Sequence, residues 1–309
     1  MSAVTLSGVQ KAFGETKALR DASLEARAGE IHAIVGENGS GKSTLAKIMS
    51  GVVRADAGAI DILGTAPRRP DHALAAGIAT IYQEVLVAED LSVWENVFAG
   101  ADGFWRRKIS TREKRRLTAE TLGRLAAAPV DPNAPAGSLP LSVRQWIVIA
   151  RAILREPKVL IFDESSAALD LDATNRLHKE MLALKMAGAC VLIVTHRIAE
   201  LVKICDGATV LRDGVTVGRL GKSEVTEDNL LRLMSATTGH SAKPKREKRV
   251  VSTAKIPAIE ATGVQVARGA APFDFKAYPG EIVGLAGLEG AGQAEFIRAL
   301  AGIEAPRAG

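Results

Sequence analysis

The chain of 309 residues is long enough for one large domain or two ordinary ones, and its 47% hydrophobic and 24% charged residues are the composition of a soluble globular protein. A net charge of +5 suits work near anionic lipid or nucleotide without pointing to nucleic acid. Two cysteines, Cys190 and Cys205, stand outside any C-x-x-C pair and weigh against a zinc site or a disulfide framework; no apolar run approaches the roughly 20 residues that cross a bilayer, and no signal-peptide pattern opens the chain. The expectation is a cytoplasmic protein that reaches any membrane through a partner.

In chain order, residues 4–9 and 31–35 read as strands, 44–49 as the start of a helix that ends at Gly51, and 61–63 and 78–82 as further short strands. From about 92 to 128 the pattern turns helical and polar, with charges crowded over 106–116 that read as a solvated helix face. The loop VDPNAPAGSLP (130–140) marks an edge between subregions, and a strongly apolar helix begins at Leu141 and closes before Pro157. Two almost unbroken apolar runs, VLIFD (159–163) and VLIVTH (191–196), fit buried strands of a mostly parallel sheet, so the fold class is α/β. SAKPKREKRV (241–250) is a linker by composition. After it the chain starts again: GEIVGLAGLEGAGQAEFIRALAGI (280–303) parallels GEIHAIVGENGSGKSTLAKIMSGV (29–52) without a gap, offset by 251 positions.

Within the first copy, GENGSGKS (36–43) satisfies G-x-x-x-x-G-K-[ST] between an apolar strand and a helix. Gly36, Gly39 and Gly41, with Asn38 and Ser40 between them, let backbone N–H groups curl round phosphate oxygens, and the helix N-terminus that opens through Thr44 adds a favourable dipole. Lys42 would reach the β- and γ-phosphates and Ser43 would take Mg²⁺. A strand ending in Asp163 places a carboxylate at the sheet edge to hold Mg²⁺ through water, and Glu164 would be the general base. Gln83 in IYQE could touch Mg²⁺ and the attacking water, Ser142 and the amides of LSVRQ (141–145) could face a phosphate, and His196 could contact a γ-phosphate. Each of these has a plain alternative when taken alone: a polar strand end, a helix cap, a surface histidine. Their order and spacing favour the functional reading.

These motifs carry a resemblance. The chain looks like the ATP-binding subunit of an ABC transporter, most like the sugar-importer type with two nucleotide-binding domains in tandem. GENGSGKST matches Walker A, IYQE the Q-loop, LSVRQ the signature, VLIFDE Walker B, AALD (167–170) the D-loop and VTHR the switch histidine. The resemblance implies a P-loop NTPase domain over 1–240, with a mixed sheet, an antiparallel β edge and a helical subdomain at about 88–155. A basic linker (241–255) and an incomplete, degenerate second copy (256–309) follow. It implies that Phe13 stacks on adenine, that Ser142 serves the opposite site, that Gln145 and Asp170 are among the nucleotide-binding residues, and that Glu164, His196 and Gln83 are catalytic. ATP and Mg²⁺ are the implied cofactors. The implied partners are permease subunits, indirectly a solute-binding protein, and a second nucleotide-binding domain by homodimerisation or otherwise. The implied location is the inner face of the cell membrane, with no nucleic acid. A non-hydrolysing remnant and a soluble ABC ATPase acting on nucleic acid are the alternatives.

Three departures stand out. In the second loop, Gln293 replaces lysine and Ala294 offers Mg²⁺ no oxygen, while Arg268 lies near the place of Phe13. The signature carries Val143 and Arg144 where glycines are usual, and Arg144 brings either a charge for γ-phosphate or a bulk that blocks approach. Residues 256–309 hold no Q-loop, signature, Walker B or histidine of their own, so a truncated chain is expected, its tail packed on the first domain or poorly ordered, with a natural short form as the alternative.

Overall fold

The computed structural model describes residues 2–100, 109–126, 129–163, 171–195, 198–235, 256–266, 270–286 and 291–309. The chain divides into two compact units, Met1–Thr238 and Gly239–Gly309.

The first unit opens with a long hairpin, β1 (Ser2–Phe13) and β2 (Thr16–Arg27), turned at Gly14 with φ 59°. Strand β3 (Ile31–Val35) leads into helix α1 (Lys42–Met49), followed by β4 (Ala57–Ile62), α2 (Pro70–Ala75) and β5 (Ile78–Ile81). Helices α3 (Val93–Val97), α4 (Thr111–Leu125) and α5 (Leu141–Ile153) come next, then β6 (Val159–Asp163), α6 (Leu171–Met186) and β7 (Cys190–Val194). The unit closes with α7 (Ile198–Ile204), β8 (Gly207–Arg212), β9 (Val215–Gly221) and α8 (Glu227–Met234).

Among the described residues these strands form one sheet in the order β4-β1-β2-β9-β8-β3-β7-β6-β5. Strands β8, β3, β7, β6 and β5 pair in parallel, whereas β4, β1 and β2 pair antiparallel at one edge. Every residue of β3, β6 and β7 is buried, which is why these segments read as continuous apolar runs rather than alternating ones. Two cores result. Ile31, Ala33 and Val35 pack with Trp146, Ile149 and Ile153 of α5. Ile34, Ile161 and Leu192 pack with Leu45, Ile48 and Met49 of α1 and with Leu6 and Leu24 of the hairpin. Helix α1 is therefore held between the parallel strands and the antiparallel edge, and the loop before it is fixed at both ends.

Between 92 and 128 the described residues form two helices rather than one. Ser92 caps α3 with a complete capping box to Glu95, and Ser110 caps α4 by accepting from Glu113 N.

The second unit pairs β10 (Ile259–Val264) antiparallel with β11 (Phe273–Ala277) and ends in α9 (Gln293–Leu300). Phe296 of α9 is buried between Phe273 and Phe275, with edge-on ring centroids 4.9 Å and 5.1 Å away. Residues 281–286, the counterpart of β3, form no strand, and Ile282 is 99% exposed. A parallel strand needs neighbours on its hydrogen-bonding edges, and the described residues of this unit offer it none.

Candidate functional site: the loop after β3 and the strand ends beside it

The chain leaves β3 into a tight loop. A Cβ on Gly36 would lie 2.2 Å from the Leu211 carbonyl oxygen and 2.4 Å from Ser40 Oγ, so only glycine fits. At Gly41, φ is 100°, and a Cβ would meet Leu19 Cδ2 at 2.5 Å and the Ala18 carbonyl at 2.6 Å. Gly39 is also left-handed, at φ 82°, but nothing lies within 4 Å of its missing Cβ. The loop is thus gripped at its ends by β8 and β2 and open at its crest, where Glu37, Asn38 and Gly39 are exposed.

Hydrogen bonds complete the grip. Ser40 N donates to the Glu37 carbonyl at 3.1 Å, and Gly214 N donates to the Ser40 carbonyl at 3.1 Å. Ser40 Oγ is buried without a protein partner, an acceptor and donor left over inside the loop. Lys42, only 4% exposed, donates from Nζ to the carbonyls of Gly36 and Glu37, both at 2.9 Å. Its ammonium is curled over the loop and held by backbone oxygens. Thr44 follows in the first turn of α1.

Ser43 Oγ donates to Asp163 Oδ1 at 3.1 Å, joining the first turn of α1 to the end of β6. Asp163 is 3% exposed. A hydroxyl and a carboxylate brought together are hard oxygen donors that suit Mg²⁺. Gln83 is exposed two residues past β5, and Ile81 pairs with Phe162, so Gln83 leaves the sheet at the same edge as Asp163. Thr195 follows β7, whose Val194 pairs with Asp163. Glu164, Asp170 and His196 lie outside the described residues, as do Arg268, residues 287–290 of the second loop and residues 241–255.

Phe13 is 51% exposed at the tip of the β1–β2 hairpin. Sequence reasoning missed its support. Lys11 Nζ sits 5.4 Å from the ring centroid and is tethered to Asp56 Oδ1 at 2.7 Å, while Asp56 Oδ2 accepts from Ala12 N at 2.7 Å. The Lys11 ammonium and the Ala12 amide hold the Asp56 carboxyl below its ordinary pKa. Asp56 is 45 positions from Lys11 in sequence, and only the pairing of β4 with β1 brings them together.

The segment 141–145 opens a helix, as its sequence predicts. Helix α5 is N-capped by Pro140, so Leu141 and Ser142 are its first two residues, and their amides have no intrahelical acceptor. Ser142 is half-buried in that first turn. Gln145 is turned inward, 2% exposed, with Nε2 unpartnered beside Trp146. Arg144 presents no open charge: Nε donates to the Leu139 carbonyl at 2.8 Å, Nη2 to the Gly137 carbonyl at 2.5 Å and Nη1 to Glu89 Oε1 at 2.7 Å.

The second copy repeats the backbone but not the chemistry. Gly292 caps α9 with φ 100° and ψ 4°, against φ 100° and ψ 2° for Gly41 before α1. Gln293 then stands where Lys42 does, without charge for a phosphate.

Burial pushes the thiols of Cys190 and Cys205 up to about 12, with nearby carboxylates adding to the effect, so both are inert apolar fillers. No described helix is long and apolar enough to cross a membrane.

A family model described as ABC transporter matches residues 19–167. Among curated relatives, the ribose import ATP-binding protein RbsA of Chromobacterium violaceum is 38% identical over 99% of this chain and 61% of its own length. The arabinose import ATP-binding protein AraG of Azospirillum brasilense is 36% identical over 99% of this chain and 58% of its own length. The chain thus spans about three fifths of the length of the relatives it matches. Among solved structures, a dimeric ATP-binding cassette in a post-hydrolysis state, bound to ADP and Pi, superposes with a TM-score of 0.66 at 25% identity. It covers 71% of this chain and 98% of that one. The ADP conformation of another ATP-binding cassette superposes at 0.64 with 24% identity over 75% of this chain and 98% of that one, a likeness of fold.

Proposed function

We propose that the chain, whose residues 19–167 match the ABC transporter family model, is a member of that family and binds and hydrolyses ATP to energise import of a sugar or similar polar solute through a membrane permease. The observation that carries this reading is the placement of Lys42, Ser43 and Asp163 at one end of the parallel sheet, on a loop where Gly36 and Gly41 admit no side chain. Ribose and arabinose, named for its relatives, set the solute class.

In this reading Phe13, kept in place by Lys11 and Asp56, takes the adenine ring. The amides of residues 38–43 take the phosphates, with Ser40 Oγ as a further donor. Lys42 gives its ammonium to the β- and γ-phosphates in exchange for the carbonyls it now holds. Ser43 and Asp163 would hold Mg²⁺, with Gln83 beside them, and the ion would neutralise charge on the phosphate oxygens. Glu164 orients and deprotonates the attacking water, and His196 and Asp170 complete the site. The first turn of α5, with Ser142, closes the phosphate site of a second nucleotide-binding domain, either another copy of this chain or another domain.

Residues 1–240 then form one nucleotide-binding domain, 241–255 a basic linker and 256–309 the start of a degenerate second one. The chain works at the cytoplasmic face of the membrane against permease subunits, which receive solute from a binding protein. Calorimetric titration with Mg²⁺-ATP tests the nucleotide site. The wild-type chain binds and Lys42→Ala binds at least tenfold more weakly, by analogy with other lost charge-assisted contacts of about 1.5–3 kcal/mol. Equal binding by both would overturn it.

A further inference from the structure

The segment that follows Gln83 and the segment that leads into α5 run side by side. Gly137 N donates to the Glu89 carbonyl and Ala136 N to the Leu91 carbonyl, both at 2.9 Å; Val93 N and Trp94 N donate to the carbonyls of Ala134 and Pro132, both at 3.0 Å. The approach is close enough that a Cβ on Gly137 would stand 2.9 Å from Glu89 Cβ. Arg144 then reaches back from the first turn of α5 and closes the pairing, with one arm on Glu89 and two donors on the carbonyls of Gly137 and Leu139.

The placement runs against the helix dipole. A cation in the first turn faces the positive end of α5, which by itself disfavours it. Two backbone carbonyls and a carboxylate offset that cost, and a fork of fixed geometry can satisfy all three at once where a lysine could not. Further along the same helix, Arg151 Nε donates to the Asn96 carbonyl at 2.7 Å. Beyond the helix end, Arg155 Nη2 donates to the Ala99 carbonyl at 2.6 Å. Asn96, itself buried, ties back to Ala88 through both its amide atoms. The whole stretch from 88 to 99 is moored to α5, and Arg144 is the mooring nearest the phosphate-facing end.

We propose that Arg144 is a positioning residue, whose fork with Glu89 locks the first turn of α5 to the segment following Gln83 so that the two move as one body. This rests on the function proposed above, in which Gln83 serves the chain's own nucleotide and the first turn of α5 serves the opposite one. The lock makes the state of one half-site mechanically visible to the other.

Hydrogen exchange on the full-length chain tests the lock without requiring hydrolysis. In Arg144→Gln, exchange at the amides of Val93, Trp94, Ala136 and Gly137 rises together by about tenfold, equivalent to about 1.4 kcal/mol, while β3 and β7 keep their protection. Glu89→Gln, on an exposed side chain that leaves the fold intact, raises the same four amides by less. Arg144→Lys, which keeps the charge but not the fork, falls between wild type and Arg144→Gln. Faster exchange confined to residues 139–145 would overturn the proposal. In steady-state assays, Arg144→Gln lowers kcat for ATP while KM stays near wild type, because the Lys42 loop is untouched; an unchanged kcat would equally overturn it. If the wild-type chain hydrolyses no ATP, the functional reading fails, and the exchange result still decides whether the lock exists.

Discussion

Ser43 Oγ and Asp163 Oδ1 lie 3.1 Å apart, although 120 residues separate them in the chain. The contact exists because β3 and β6 flank β7 in the parallel sheet, so the loop leaving β3 and the end of β6 emerge at the same edge. In the proposed reading these two oxygens would hold Mg²⁺. Ser43→Ala and Asp163→Asn each reduce Mg²⁺-dependent ATP turnover by about 10²-fold, the loss typical of removing one preorganised electrostatic group. The double variant loses little more than either single one, since both act through one ion. Multiplicative losses in assays at fixed free Mg²⁺ would separate the two residues.

The glycines of the loop differ in what they forbid. Gly36→Ala forces a methyl into the Leu211 carbonyl and costs about 1–3 kcal/mol with loss of nucleotide binding. Gly39→Ala meets no atom and pays only for its left-handed backbone, about 1 kcal/mol. Urea unfolding with paired nucleotide titrations checks the order; an equal cost at both positions would contradict the packing described.

Gln145 is a buried amide with an unpartnered Nε2. Gln145→Met, of similar length and apolar, is therefore neutral or stabilising by up to about 1–3 kcal/mol and leaves ATP affinity unchanged. A drop in affinity or turnover without loss of stability would instead place Gln145 in the nucleotide site.

Acid sensitivity has an identifiable source at the opposite end of β3. Burial pushes the Asp206 carboxyl up, but the Ile31 amide and Lys185 outweigh it and hold the group below its ordinary pKa; Oδ2 accepts from Ile31 N at 3.0 Å and Oδ1 from Lys185 Nζ at 2.6 Å. A carboxyl lowered on folding contributes stability that is present above its unfolded value of about 3.9 and is lost as the pH falls through the folded one. Asp206→Asn is accordingly less stable at neutral pH and shows a shallower loss of stability below about pH 4. Urea midpoints across that range measure both slopes, and parallel acid limbs would exclude Asp206 as a source.

The parallel core and the first loop were legible in sequence because burial on both faces leaves an unbroken apolar run and because the loop's glycine spacing falls between such a run and a helix. The hairpin strand β2 was not. TKALRDASLEAR alternates buried Leu24 and Ala26 with exposed charges, a pattern that only its pairing with β1 makes a strand. The start of α5 at Leu141 was legible, but the course of Arg144 was not, because it is turned backward onto the carbonyls of Gly137 and Leu139, which sequence cannot place. The repeat teaches the same lesson. Ile31 and Ile282 occupy equivalent positions in matching sequence, and one is fully buried while the other is 99% exposed. An apolar run becomes a strand only when neighbours are there to pair with it.

The central claim is tested most directly by ATP hydrolysis of the purified chain as a function of its own concentration, with Glu164→Gln as the control. A rate per chain that rises with concentration and vanishes in the control is the predicted result, showing that two copies assemble working sites. ATP bound at every concentration but never hydrolysed would contradict the claim that these residues, in this chain, form a competent ATPase.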